Sequence, residues 1–383
     1  MKKIIKISSA VVIISLAISL AIPSNHYIVR ALIYQLPNID DYKIFDNRGI
    51  IKGKAQPWHV SKNYNKYSFS PEQLLYFSEY KTVAYLVIKD TSILSETYWG
   101  GYNKDSYSNS FSMSKSIVSL LIGCAIQDGL IMDINQPVSN FIEAYKEGER
   151  AKITLRDLLS MSSNLSWDES YSSLFSITTQ AYYGNDVKRI VLNLHSLGES
   201  GKYFDYRGSD PQLLALVIEK VTGKTLSEYA SEKLWKPLGA EQDALWNLDH
   251  NGGTEKASCC FNSNARDFAR FGQLVLNNGI WKGAQLIPKW YLDEATSPVT
   301  ELIDKELSKP NERYGYQWWC LKYKNYTIKY ARGILGQYIF VIPELNAVIV
   351  RLGHKRNDIK IDGHPEDVYR YLDFGFDIIE KTK

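Results

Sequence analysis

Hydrophobic and polar positions divide the chain into three zones. Residues 82–90, Thr-Val-Ala-Tyr-Leu-Val-Ile-Lys-Asp, are β-branched and aromatic and predict a strand. Residues 94–99 predict a second, closed by Gly100-Gly101. Next comes Phe111-Ser112-Met113-Ser114-Lys115-Ser116 and an apolar run over 117–126, which predicts a buried helix ending near Asp128-Gly129. From Leu130 to about His250 the strand signal mostly gives way to helices: a short one capped by Thr154, then 185–194, 211–221 ending at Thr222-Gly223, and 225–234. Strands return over 316–322, 326–331, 337–342 and 347–352, with a turn at 343–346 and amphipathic helices over 265–277 and 365–380.

Two early strands, a helical middle and four late strands predict an α+β fold. Its antiparallel sheet is built from both chain ends and flanked by helices, with a helical insert at about 130–250. One folding unit spans 81–383, and residues 25–80, polar and aromatic without sustained periodicity, read as an extension that wraps or links.

The N-terminus changes the picture. Lys2, Lys3 and Lys6 precede an uncharged run, 7–22, that reads as a secretory signal or an N-terminal membrane anchor within 1–24. At about 16 residues the run falls short of the roughly 20 that span a bilayer. Either way the body is expected to be extracytoplasmic, periplasmic or at the cell surface. Those three lysines account for the net charge of +3. The rest is neutral and carries no basic tract with interleaved aromatics, which argues against a nucleic-acid partner.

Of four cysteines, Cys124 falls in the predicted buried helix and acts as a small hydrophobe. Adjacent Cys259 and Cys260 would project differently, so one of them is expected to reach Cys320. No two histidines sit at ligand spacing, so no metal site and no cofactor are expected.

Candidate chemistry starts at Ser112 and Lys115, which share one face of a helix about one turn apart. Ser112 would open that helix beside unpaired backbone N–H groups and the positive dipole end. Burial disfavours the ammonium form, which equips a nearby amine to act as the base for a serine nucleophile. Tyr206, in Gly201-Lys202-Tyr203-Phe204-Asp205-Tyr206-Arg207-Gly208, stands at a loop–helix junction from which it could share that proton. Gly333 and Gly336, in Ala331-Arg332-Gly333-Ile334-Leu335-Gly336-Gln337, break one strand and open the next, where glycine permits close approach of a ligand. No Gly-x-Ser-x-Gly elbow occurs, which discounts an α/β-hydrolase.

These three segments, in order, resemble the penicillin-recognising serine hydrolases. The branch is that of class C β-lactamases, D-Ala-D-Ala carboxypeptidases, related esterases and 6-aminohexanoate-dimer hydrolase. The resemblance implies Ser112 as acyl-forming nucleophile, Lys115 as its base and Tyr206 as proton relay. It implies an oxyanion hole from the N–H groups of Ser112 and Ile334, and substrate contacts from Gly333, Gly336 and Gln337. Two departures matter. Gly208 replaces the family's asparagine, with Ser209 or Asp210 as candidate stand-ins, and Ala331 replaces a lysine or histidine. Arg332 is adjacent, but neighbouring strand residues face opposite ways, so it is expected to point away from the pocket. The expectation is a hydrolase of small esters or amides. The alternatives are an inactive penicillin-fold binding protein, or a D-amino-acid peptidase or β-lactamase.

Overall fold

The computed structural model describes residues 25–382. The N-terminal apolar run therefore lies outside the described residues, and among these no helix is long and apolar enough to cross a membrane. In chain order the elements that position the site are α1 (His26–Tyr34), β1 (His59–Val60), α2 (Pro71–Glu79), β2 (Thr82–Lys89), β3 (Ser92–Tyr98), α3 (Met113–Gln127), α4 (Ile177–Tyr183), α5 (Ser209–Thr222), α6 (Ala265–Leu276), β4 (Trp319–Tyr323), β5 (Tyr326–Gly333), β6 (Gln337–Ile342), β7 (Ala347–Gly353) and α7 (Glu366–Lys381).

The strands form one sheet in the order β4-β5-β6-β7-β2-β3-β1, antiparallel throughout except where β1 lies parallel to β3. The two chain ends meet in the β7–β2 pair, with Val348 opposite Ile88 and Val350 opposite Leu86. This is the predicted α+β architecture. All of β7 and nearly all of β2 are buried, because helices cover both faces and leave no solvated side to mark by alternation. Two glycines set that packing. A Cβ on Gly272 of α6 would stand 2.6 Å from Val348, and one on Gly375 of α7 would stand 2.1 Å from Ile349. Successive strand residues face opposite ways, so α6 and α7 lie on opposite faces.

Residues 25–80 hold more structure than their polarity suggested. Ser70 caps α2 with a reciprocal capping box to Gln73, Pro71 occupies the first turn, and Phe77 is buried in the core. Asn47–Ile50 pairs with Ala244–Asn247, which lies in the region expected to be helical. That region holds short 3-10 and α-helical segments around one long helix, α5, whose C-cap Gly223 adopts the left-handed conformation. The disulfide also differs from expectation. Cys259 bonds its neighbour Cys260, and Cys320 stays reduced and buried in β4, where burial pushes its thiol up to about 12. Cys260 sits at φ 77°.

Gly272→Val should lower stability by about 2 kcal/mol, the scale of overpacking in a filled core. Denaturant midpoints of the variant and the parent chain measure it.

Candidate active site

Helix α3 begins directly after Ser112, at the end of a turn in which Phe111 is held at φ 43°. The apolar run predicted to bury this helix does so: every residue from Met113 to Ala125 is buried, and α3 packs between β5 and α5. Lys115 is only 2% exposed. Its Nζ lies 3.3 Å from Ser112 Oγ and donates to the Ser258 carbonyl at 2.6 Å. The same nitrogen stands 5.2 Å from the centre of the Tyr206 ring. Ser112, Lys115 and Tyr206 are therefore brought together. The Tyr206 hydroxyl bonds neither partner, however; the contact is through the ring face, which itself leans on Trp319.

The segment 256–260 supports the lysine from behind. Ser114 Oγ donates to the carbonyls of Ala257 and Cys259, and the Gln212 side chain accepts from Ala257 N–H. Ser258, unremarkable in sequence, is thus part of the site through its carbonyl alone.

The end of β5 closes the site. A Cβ on Gly333 would stand 2.2 Å from Ser110 O and 3.2 Å from Phe111 Cβ, so only glycine lets this strand approach the nucleophile turn. That approach brings Ile334 to the wall it shares with Ser112, where both N–H groups are candidates for an oxyanion hole. Gly336 and Gln337 play a different part from the expected substrate contacts. Arg351 Nη1 donates to the Leu335 and Gly336 carbonyls, and Gln337 is wholly buried, exchanging bonds with Gly353. Neither lines a cavity beside Ser112; both brace the turn that carries Ile334.

Two non-glycine residues at positive φ, Phe111 and Leu335, belong to the two turns that meet here. Such conformations each cost of order 1–3 kcal/mol and persist where surrounding contacts over-determine them, as they commonly do at functional sites.

Sequence comparison gives the architecture a family. Residues 76–369 match the Beta-lactamase family, well over half of the chain. The chain belongs to the beta-lactamase family. It is 26% identical over 289 residues to the 6-aminohexanoate-dimer hydrolase of Paenarthrobacter ureafaciens, covering 71% of this chain and 72% of that protein. Among solved structures it resembles a Bacillus anthracis protein, itself a candidate 6-aminohexanoate-dimer hydrolase, with a TM-score of 0.75 at 20% identity over 90% of this chain and 93% of that one. A family VIII carboxylesterase gives a TM-score of 0.66 at 16% identity, over 87% of this chain and all of that one (100%).

Within the beta-lactamase family pattern, the missing asparagine is not replaced by Ser209 or Asp210. Both are buried, and Ser209 Oγ donates to Asp210 Oδ1, which also accepts from Ser163. Burial pushes Asp210 up to about 7 against the opposing pull of Arg207 and the two hydroxyls. Arg207 itself is tied to Asp205 beneath the loop. The space over Gly208 is filled by Trp167 and Glu169 instead. Glu169 accepts from Gly208 N–H and Trp167 Nε1, each at 2.6 Å, and from the Tyr171 hydroxyl at 2.5 Å. Sequence reasoning missed Glu169, because a loop carboxylate 57 positions from the nucleophile carries no local signal; its place appears only when the loop folds over Gly208.

The third motif also departs from expectation. Ala331 is fully buried in the core, so strand alternation turns Arg332 to the site face rather than away from it. Its guanidinium lies 3.4 Å above the Trp319 ring and lines a cavity that contains Ser112. Two cavities in fact meet at Ser112, with Glu169, Tyr171 and Ile334 common to both. One, of about 300 Å³, is walled by Phe111, Leu174, Ala181 and Val187 and reaches α1. The other, of about 250 Å³, holds Arg332, Arg356 and a set of paired charges. Lys256 borders the apolar one; burial, with Arg30 adding to it, lowers its amine to about 7 against the pull of Asp249 and Asp41. That amine donates to the Tyr182 carbonyl and lies 3.8 Å from the Phe45 ring centre.

Restoring the family asparagine should harm this protein. A Cβ at 208 would stand 2.9 Å from the Trp167 ring, so Gly208→Asn should lose activity, and adding Trp167→Ala should recover part of it, as read by ester turnover. Asp210 makes a second test. Its carboxyl keeps its proton to higher pH in the fold than the ordinary 3.8, so the stability it contributes is present at low pH and lost as pH rises through about 7. Asp210→Asn should flatten that fall between pH 4 and 7 in denaturation curves, leaving wild type and variant closest at the acid end.

Proposed function

We propose that this chain is a serine hydrolase cleaving ester or amide bonds through an acyl-enzyme. The observation that carries the reading is the amine of Lys115, buried and held by the Ser258 carbonyl, at 3.3 Å from Ser112 Oγ where two cavities meet. The hydrolase and carboxylesterase names of the similar proteins support a hydrolytic reading.

The steps follow from the residues present. Lys115 accepts the Ser112 proton as Oγ bonds the acyl carbon, and the Ser112 and Ile334 N–H groups donate to the carbonyl oxygen as it gains charge. The proton passes to the leaving oxygen or nitrogen as its bond to carbon breaks, with Tyr206 beside Lys115 as the relay. Water then attacks the acyl-enzyme, returning a proton to Ser112 and releasing the acid. The positively charged start and apolar run of residues 1–24 support an extracytoplasmic enzyme, exported or held at the membrane by that segment.

Ser112→Ala should abolish covalent labelling by a fluorophosphonate probe while the thermal transition stays in place; a labelled variant overturns the assignment. Lys115→Ala and Tyr206→Phe should each lower kcat by about 10²-fold or more, the scale of general acid–base catalysis, measured with a chromogenic short-chain ester. Wild-type turnover in either variant would remove that residue from the mechanism.

A further inference from the structure

The two cavities at Ser112 differ in chemistry, and the difference names a substrate class. The larger is apolar along most of its wall and runs from Ser112 past Leu174 and Ala181 to Ala31 and Leu36 beside α1. At about 300 Å³ it lies at the small end of ligand sites, and its outer end is open, since Leu36 is 78% exposed. In the smaller cavity Lys305 pairs with Asp205, Lys360 with Glu306, and Arg313 with Asp304. Arg332 and Arg356 have no carboxylate within 4.0 Å among the described residues, and Glu169 on the same wall is held by neutral donors alone, so the cavity lining keeps one net positive charge. An acyl chain suits the first cavity and an anion-bearing alcohol the second, with the ester bond between them at Ser112.

Exposed apolar side chains stand beside the mouth of that cavity. Val29, Leu32, Ile33 and Leu36 of the α1 segment are exposed, Ile33 at 65%, and Phe175, just before the α4 helix that packs on α1, is 79% exposed. The sequence says what covers this face. The apolar run 7–22, led by Lys2, Lys3 and Lys6, ends three residues before α1, and no acidic residue occurs before Asp40. A segment of that composition enters a bilayer and brings the attached helix to its surface.

We propose that Ser112 hydrolyses acyl esters of anionic membrane amphiphiles, with the acyl chain drawn into the α1–α4 cavity and the rim at Leu36 and Phe175 seated on the bilayer. This rests on the acyl-enzyme reading above. Ser112 Oγ bonds the acyl carbon as the ester C–O bond breaks, the serine proton goes to the departing alcohol, and water releases the fatty acid. The anionic alcohol lies against Arg332 and Arg356 while the bond breaks.

The test uses the full chain in phosphatidylcholine vesicles, with and without phosphatidylglycerol. On p-nitrophenyl acetate, butyrate and octanoate, kcat/KM should rise about fourfold for each methylene that enters the cavity. Ala181→Phe should cut the octanoate-to-acetate ratio by about tenfold or more. A flat or falling series, or an unchanged ratio, overturns the acyl cavity. Octanoyl 4-hydroxybenzoate should be preferred over its methyl ester, and Arg332→Gln should remove the preference; equal turnover of the two by the wild type overturns the anionic alcohol. A fluorophore on Leu36→Cys or Phe175→Cys should shift to the blue and be quenched by spin-labelled lipid, whereas one on Lys322→Cys, an exposed position of edge strand β4, should not. Absence of quenching at 36 and 175, or protection by a second copy of the chain without lipid, overturns the seating. Fluorophosphonate labelling separates the levels: a labelled protein with a flat series loses only the substrate class, and an unlabelled one loses the hydrolase reading beneath it.

Discussion

The site depends on one close approach, that of the Gly333 backbone to the Ser110 carbonyl. With no side chain at 333, strand β5 ends directly against the turn that launches α3, and Ile334 arrives beside Ser112. Any larger residue would put a Cβ 2.2 Å from that carbonyl and push the sheet and the nucleophile helix apart. Around that contact the rest is bracing: Arg351 and Gln337 hold the turn beyond Gly333, and Phe111 is fixed in a left-handed conformation by the Asn109 side chain accepting from its N–H. The sheet built from both chain ends is what makes the approach rigid, because β7 and β2 are covered on both faces by α6 and α7.

Lys115 shows how a buried amine is aimed. A free lysine side chain has many rotamers; this one has its stem in the core and its nitrogen between the Ser112 hydroxyl, the Ser258 carbonyl and the Tyr206 ring. The carbonyl partner belongs to a segment tied to α3 by Ser114, to α5 by Gln212 and closed on itself by the Cys259–Cys260 bond. Position is therefore set by backbone groups, which do not titrate. The Tyr206 ring stands against the same nitrogen without a hydrogen bond to compete for Ser112.

Membership of the beta-lactamase family does not carry every family contact to this chain. Where relatives of the motif place an asparagine, Gly208 leaves room that Trp167 and Glu169 fill, and the carboxylate is held by three donors. Where they place a lysine or histidine, Ala331 is spent on the core and the charge comes from the next residue, on the opposite side of the strand. Both changes alter the walls around Ser112 while leaving Ser112, Lys115 and Ile334 in place. A 6-aminohexanoate-dimer hydrolase and a family VIII carboxylesterase are both among the proteins similar to this chain, which fits a scaffold whose centre is set by backbone geometry and whose walls are free to vary.

What the sequence determined by itself is what local physics encodes. β-Branched runs became β2, β6 and β7; the Ser112–Lys115 spacing became one turn of a buried helix; Thr154 became a cap and Gly223 a left-handed helix end. Even the unpredicted α2 carried its signal in Ser70-Pro71-Glu72-Gln73, hidden only by the polarity around it. Strand alternation established that Ala331 and Arg332 face opposite ways, yet not which of them faces the site; burial of Ala331 under the assembled sheet decided that. The partnership of Cys259 with Cys260, the pairing of Asn47–Ile50 with Ala244–Asn247, and the arrival of Glu169 over Gly208 were likewise tertiary. Periodicity and caps act over a few residues, where neighbouring side chains share one turn or one face. A wall made by a loop folding over a distant helix start has no such neighbours until the chain has packed.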